Sequence, residues 1–327
     1  MRDIRFASAQ FEHRDGDKAF NLDRIQQLTR RAAEAGAEAV CFHECCITGY
    51  TVLQTLDRPT LTSWAEPVPE GPSTRALVEI AREAGVVVMA GLVEVDEEGR
   101  LYNSYAVVGP DGFIARHRKL HVFISPFLSP GEGYTVFDLG GVRVGILTCY
   151  DNNLPENARA TTLLGAEVIV APHVTGCTPS TMPGRGPVDR ALWENRQRDP
   201  ARLRLEFQGP KGRGWLMRWL PARAWENGVF YVFSNPIGVD HDTIKPGLAM
   251  ILDPHGEPLA ESAALGDDVV VALLTAEAFA IASGRRYLDA RRPDLYGPIT
   301  RPHPEGHRPV TKPGWALAFE AGEPALP

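Results

Sequence analysis

The chain has 327 residues, 44% of them hydrophobic and 23% charged, with a net charge of −7. This balance suits a water-soluble globular protein with one large core or two smaller ones, and the acidic excess argues against general nucleic-acid binding. No apolar stretch approaches the roughly 20 residues of a membrane span, Met1-Arg2-Asp3-Ile4-Arg5 carries no signal-peptide pattern, and the five cysteines lack a disulfide-framework spacing, so a reducing compartment, by default the cytoplasm, is expected.

In chain order, residues 4–10 read as a strand, and 19–35 as a helix in which Leu22, Ile25, Leu28 and Ala32 recur at helical spacing. A short apolar strand over 37–42 runs into His43-Glu44-Cys45-Cys46-Ile47-Thr48-Gly49-Tyr50. The turn Glu70-Gly71-Pro72 opens a helix over 73–84 with Ser73 as its expected cap, and 86–91 is a buried strand. A hairpin over 104–116 turns at Gly109-Pro110-Asp111-Gly112 and leads into Arg118-Lys119-Leu120-His121-Val122-Phe123. The buried strand 142–147 turns polar at Cys149-Tyr150-Asp151-Asn152-Asn153, after which 156–164 reads as a helix and 168–172, 231–235, 249–252 and 269–274 as strands. Such alternation, with hairpins mixed in, predicts a layered α/β protein with mixed sheets.

Two regions leave this rhythm. Residues 177–220 form an irregular stretch carrying Trp193, Trp215 and Trp219, and from Arg185 to Arg223 there are ten Lys or Arg against four acids. It reads either as a basic, aromatic-lined lid suited to an acidic or aromatic substrate or as a solvated or subunit-contacting insertion. From residue 284 the proline-rich sequence reads as a tail, so one domain over 1–283 and a tail over 284–327 are expected.

Cys149 stands where a rigid strand meets a polar turn, a position open both to a small core residue and to a nucleophile. A nucleophilic thiol needs a base and a cation to stabilise developing charge. Glu44 and Lys119, each at another strand end, supply these residue types.

Taken with their surroundings, these residues resemble the nitrilase superfamily of carbon-nitrogen hydrolases. The resemblance lies in IRFASAQ, FHECCITGY around Glu44, RHRKLHVF around Lys119, GILTCYDNNLPE around Cys149, and then PARAWENGVFYVFSNPIG and GLAMILDPHGEPLAE, across most of residues 4–275. The spacings, 75 residues from Glu44 to Lys119 and 30 from Lys119 to Cys149, are similar to the family's. The resemblance implies a four-layer α-β-β-α sandwich. It also implies a cofactor-free mechanism in which Glu44 takes the thiol proton, Cys149 attacks an amide, carbamoyl or nitrile carbon, and Lys119 with the backbone N–H of Tyr150 holds the oxyanion. Tyr50 and His121 are further candidates for contact with substrate or oxyanion, although Tyr50 reads equally as a core aromatic and His121 as a structural histidine. Tails in this family often wrap a neighbouring subunit, so a homodimer or larger assembly is expected.

One departure stands out. Many members carry a second active-site glutamate between the lysine and a later Pro-Gly; here the loop before Pro130-Gly131 is Ile124-Ser125-Pro126-Phe127-Leu128-Ser129, without an acid, and the expected position falls near Ile124. Cys149-Tyr150-Asp151 with Pro155-Glu156 resembles amidases more than the Cys-Trp-Glu of many nitrile-acting members, which favours an amide or N-carbamoyl substrate. A nitrilase acting through a thioimidate, and a weakly catalytic nitrilase-fold binding protein, are the alternatives. His43-Glu44 lacks a histidine at Ile47, so a zinc-protease helix is not expected and no metal is assigned. Cys41, Cys45 and Cys46 read as packing residues, Glu156 and Arg159 as a pair at a helix start, and Arg223 with Glu226 as the back wall of the site.

Overall fold

Side-chain alternation along β1 (Ile4–Gln10) sets the layering. Ile4 and Phe6 join an apolar cluster shared with a second sheet, whereas Ala7 and Ala9 join one shared with helices. The structure, a computed structural model, describes residues 1–180, 182–302 and 304. The helix α1 (Lys18–Glu34) buries Ile25, Leu28 and Ala32 at helical spacing. In β2 (Ala39–Cys41), Ala39 and Cys41 face the second sheet and Val40 the helices. The short α2 (Arg58–Trp64) precedes α3 (Pro72–Ala84), which packs on α1 and ends at Gly85 in the left-handed conformation. Gly71, not Ser73, is the cap of α3; the Ser73 amide and hydroxyl both donate to Glu66, a partner that local sequence could not reveal.

β3 (Val87–Val95), β4 (Leu101–Gly109) and β5 (Gly112–Arg118) follow as an antiparallel meander. β6 (Thr135–Asp138), β7 (Arg143–Ile146), α4 (Pro155–Leu163) and β8 (Val168–Pro172) then begin the second half. The expected irregular stretch over 177–220 contains α5 (Arg190–Glu194), α6 (Pro200–Gln208) and α7 (Arg213–Leu216). It is followed by α8 (Leu220–Asn227), β9 (Phe230–Ser234), the hairpin β10 (Ile237–Asp240) and β11 (Thr243–Pro246), then β12 (Met250–Leu252), β13 (Pro258–Glu261) and β14 (Asp268–Leu274). Cys177, Trp193, Leu203 and Phe207 pack there against Ile237 and Ile244 of the hairpin, forming a satellite core. Several of its cations are engaged locally: Arg196 lies 3.7 Å from the centre of the Trp193 ring, Arg185 4.0 Å from that of Trp215, and Arg213 pairs with Glu261.

One sheet runs β14-β1-β2-β3-β4-β5 and the other β13-β12-β9-β8-β7-β6. In each, three central strands are parallel and the flanking strands antiparallel. The main core lies between the sheets, where Phe6, Met89 and Tyr105 meet Val144, Val170 and Val232. With helices covering the outer faces, the chain is a four-layer α-β-β-α sandwich with mixed sheets, as expected. Beyond α9 (Ala276–Ile281), α10 (Ser283–Asp289) packs on α8, so the segment read as a tail begins against the body of the fold. Residues 303 and 305–327 of that segment lie outside the described residues.

Candidate active site

The carboxyl ends of strands in mixed α/β sheets leave side chains converging on a shared crevice. Glu44 lies just beyond β2, Lys119 directly after β5, and Cys149 in a single 3₁₀ turn, Cys149–Asn153, after β7. The Glu44 turn crosses the neighbouring strand closely at Gly91, where a Cβ would lie 2.3 Å from the Cys45 nitrogen, so this strand position admits only glycine. Lys119 is fixed by its amide, which donates to Asn103 O at 2.9 Å, and by its carbonyl, which accepts from Gly131 N at 2.8 Å. Cys149 has φ +49°, a left-handed conformation that a non-glycine residue holds only at a cost of about 1–3 kcal/mol. Asp151 maintains it: its carboxylate accepts from Thr148 N at 3.1 Å, and also from Leu120 N at 3.2 Å and His121 N at 2.9 Å. One carboxylate therefore ties the turn bearing Cys149 to the segment bearing Lys119.

The structure brings Glu44, Lys119 and Cys149 together. Lys119 Nζ donates to Glu44 Oε1 at 2.6 Å, and Asn103 Nδ2 donates to the same oxygen at 2.6 Å. Glu44 Oε2 is buried and has no such partner, while the Cys149 thiol, which donates to Val174 O at 3.9 Å, is close enough to the Glu44 carboxylate for each to shift the other's titration. Glu44 and Lys119 are fully enclosed, while Cys149 keeps 8% exposure. Burial raises the Glu44 pKa above the usual carboxylate range, opposed in part by Lys119 and Asn103. Burial pulls the Lys119 pKa down, but the Glu44 carboxylate and the Tyr50 oxygen outweigh it, so the ammonium stays charged. Burial and the adjacent Glu44 push the Cys149 thiol up to about 12. The resting site is thus a neutral thiol beside a carboxylate oxygen that can receive its proton, with a fixed cation alongside.

Tyr50, Tyr150 and His121 occupy different places. Tyr50 is buried, and its hydroxyl accepts from Lys119 Nζ at 3.3 Å. Tyr150 is half-buried, its ring edge-on to Phe123 with centroids 5.6 Å apart. The His121 ring is held by Asn157, whose Nδ2 donates to Nε2 at 3.0 Å, so this histidine braces the start of α4. Ile124 packs with Tyr50, Leu53 and Leu128 in an apolar cluster. Among the described residues, Glu44 is the one carboxylate paired with Lys119, so no acid takes the place that Ile124 fills. Arg223 clamps the backbone beyond the nucleophile, donating to Asn152 O at 3.0 Å and Asn153 O at 3.2 Å, and pairs with Glu226. Arg159 does not pair with Glu156 but donates to the Glu226 carbonyl at 2.7 Å. Sequence reasoning missed Asn103 and Asp151; the one available signal for Asn103 was the polar pair Asn103-Ser104 within the buried β4.

Beneath Cys149, His173 is buried between Phe233 and Trp219, and its Nε2 accepts from Asn152 Nδ2 at 3.1 Å. Burial, with Lys119 nearby, lowers its pKa to about 3. The folded state therefore resists a proton that the unfolded chain accepts near pH 6.5, and stability falls as pH drops from that value toward 3. His173→Gln, which keeps an acceptor for Asn152 but cannot titrate, makes this acid slope shallower by up to about 1.4 kcal/mol per pH unit. Urea unfolding of both proteins at a series of pH values measures the difference.

The Carbon-nitrogen hydrolase family model matches residues 5–280. The chain is 33% identical over 312 residues to an (R)-stereoselective amidase of Pseudomonas sp., spanning 93% of this chain and 97% of that protein. It is 32% identical over 255 residues to a nitrilase of Pyrococcus abyssi, spanning 77% and 82% respectively. Among solved structures, a variant of the amidase from Nesterenkonia sp. AN1, of the nitrilase superfamily, superposes with a TM-score of 0.67 at 22% identity, over 90% of this chain and 97% of that one. Another variant of the same amidase, at a TM-score of 0.65, 22% identity and coverage of 90% and 95%, carries the acetamide moiety of fluoroacetamide covalently added at its active-site cysteine. These structures share the fold with this chain. By sequence across nearly its whole folded body, the protein is an enzyme of the carbon-nitrogen hydrolase family.

Proposed function

We propose that this enzyme hydrolyses the carbon-nitrogen bond of a small carboxamide or N-carbamoyl compound through a thioester on Cys149. The observation that carries the reading is the division of labour within Glu44: Oε1 is held by Lys119 and Asn103, and Oε2 is left for the Cys149 proton. The thiol proton passes to Oε2 as Sγ bonds to the carbonyl carbon, and the resulting oxyanion is stabilised by the Lys119 ammonium with the Tyr150 amide. Glu44 then gives that proton to the leaving nitrogen, the C–N bond breaks, and ammonia or an amine departs. Glu44 next takes a proton from water, whose oxygen attacks the thioester; the C–S bond breaks and the proton returns to sulfur.

The amide preference is supported by Cys149-Tyr150-Asp151 and by the Pseudomonas amidase, which aligns over 93% of the chain. The nitrilase of Pyrococcus abyssi supports nitrile hydrolysis as the second reading. Ammonia release from a panel of amides, N-carbamoyl compounds and nitriles separates the two, with Cys149→Ala as control. Release from amides or carbamoyl compounds that disappears in the variant is expected, whereas release from nitriles alone overturns the amide preference.

In this reading the catalytic unit spans residues 1–283, and residues 177–220 are a helical insertion seated on the β10–β11 hairpin. Exposed Trp225 and Tyr287, on α8 and α10, support assembly into a homodimer or larger oligomer. Cytoplasmic location is supported by five free, buried cysteines. Among the described residues no helix is long and apolar enough to cross a membrane.

A further inference from the structure

A second cluster of ionisable groups lies behind the turn that carries Glu44. His13, in the loop after β1, is buried with its side chain 1% exposed. Its Nδ1 is 3.1 Å from His43 Nε2. His43 is itself buried and its pKa lies well below the ordinary value, through burial and then the charge of His13. His13 Nε2 points at two carboxylates, 3.3 Å from Asp240 Oδ1 and 3.6 Å from Asp15 Oδ1. A buried ring nitrogen that faces two carboxylates without a hydrogen bond of normal geometry is an arrangement that a shared cation would complete.

We propose that His13 Nε2, Asp15 and Asp240 form a divalent-metal site of the zinc or cobalt type, joining the loop after β1 to the β10–β11 hairpin. The three ligand atoms lie within 4.8 Å of one another. The separations from Nε2 are close to the edge of about 3.3 Å expected for a tetrahedron with bonds of about 2.0 Å. A cavity of about 680 Å³ lined by His13, Asp15 and His241 opens onto the cluster, providing a route of entry and room for water as a fourth ligand. The second oxygen of Asp240 is occupied by Thr51 Oγ1 at 2.5 Å and faces Lys245 Nζ at 3.7 Å, while Oδ1, which also accepts from Thr51 N at 3.3 Å, is the oxygen that faces His13 Nε2 at 3.3 Å. Asp15 has room because Gly49, at φ +87°, lies against it; a Cβ there would be 2.6 Å from Asp15 Oδ1. The His13–His43 contact is the outer support that metal-bound imidazoles ordinarily have.

The competing occupant is a proton. Metal binding requires Nε2 to be free of that proton. The test is cobalt(II) titration of the chelator-treated full chain, followed by visible absorption and calorimetry, on wild type and Asp15→Asn. Asp15 is partly exposed and outside the Glu44–Lys119–Cys149 site, so circular dichroism and amide hydrolysis of the variant should match wild type. The proposal expects one cobalt per chain, the bands of a tetrahedral nitrogen- and oxygen-ligated ion, and affinity at least about tenfold weaker in Asp15→Asn. Lack of saturable uptake assigns the position to the proton and overturns the proposal. Uptake unchanged in Asp15→Asn, or accompanied by thiolate-to-cobalt absorption, places the ion elsewhere and overturns it equally.

Discussion

Lys119→Met lowers kcat by about 100- to 1,000-fold, the usual cost of losing one preorganised oxyanion donor. It also destabilises the fold by about 3–5 kcal/mol, because it leaves a buried carboxylate without its cation. The reason is the 2.6 Å contact with Glu44 in a fully enclosed setting, where no water replaces the ammonium. The two effects can be separated. Adding Glu44→Gln to Lys119→Met removes both charges, so chemical denaturation should show much of the lost stability restored while activity stays absent. If the double variant remained as unstable as Lys119→Met, the destabilisation would come from lost packing rather than from an unpaired charge.

Glu44→Gln alone retains the shape of the side chain and lowers kcat/KM by about 100- to 10,000-fold, as expected for removal of a general base. The pH profile identifies the role. A base acts when ionised, so wild-type kcat/KM falls as pH drops through the Glu44 pKa, and burial places this limb above the ordinary glutamate range. No alkaline loss follows from the thiol or the ammonium until high pH, since the Cys149 pKa is about 12 and Lys119 lies well above its ordinary value. The residual rate of Glu44→Gln should lack the acid limb. An unchanged limb would assign it to another group.

Much of this organisation is legible in the sequence because it is local. Pro110-Asp111-Gly112 forces a hairpin whose second strand delivers Lys119, and the apolar run ending at Leu147 fixes where Cys149 emerges. What is not legible depends on distant partners. In the helices between 190 and 216 apolar residues and arginines are interleaved, and Trp193, Leu203 and Phe207 are buried by a hairpin that comes later in the chain. Ser73 looks like a helix cap but is held by Glu66. Asp151 reads as part of a motif after the nucleophile, yet its structural work is to hold the backbone of Leu120 and His121. His13 and Asp240, from opposite ends of the fold, come together only through the docking of the β10–β11 hairpin beside β1.

The central claim is a covalent acyl group on Cys149. Wild-type enzyme mixed with a slowly hydrolysed amide, quenched in acid and digested, should yield the Cys149 peptide heavier by the mass of the acyl group, while Cys149→Ala shows neither this adduct nor ammonia release. An acyl group on another residue, or wild-type ammonia release from Cys149→Ala, would contradict the account.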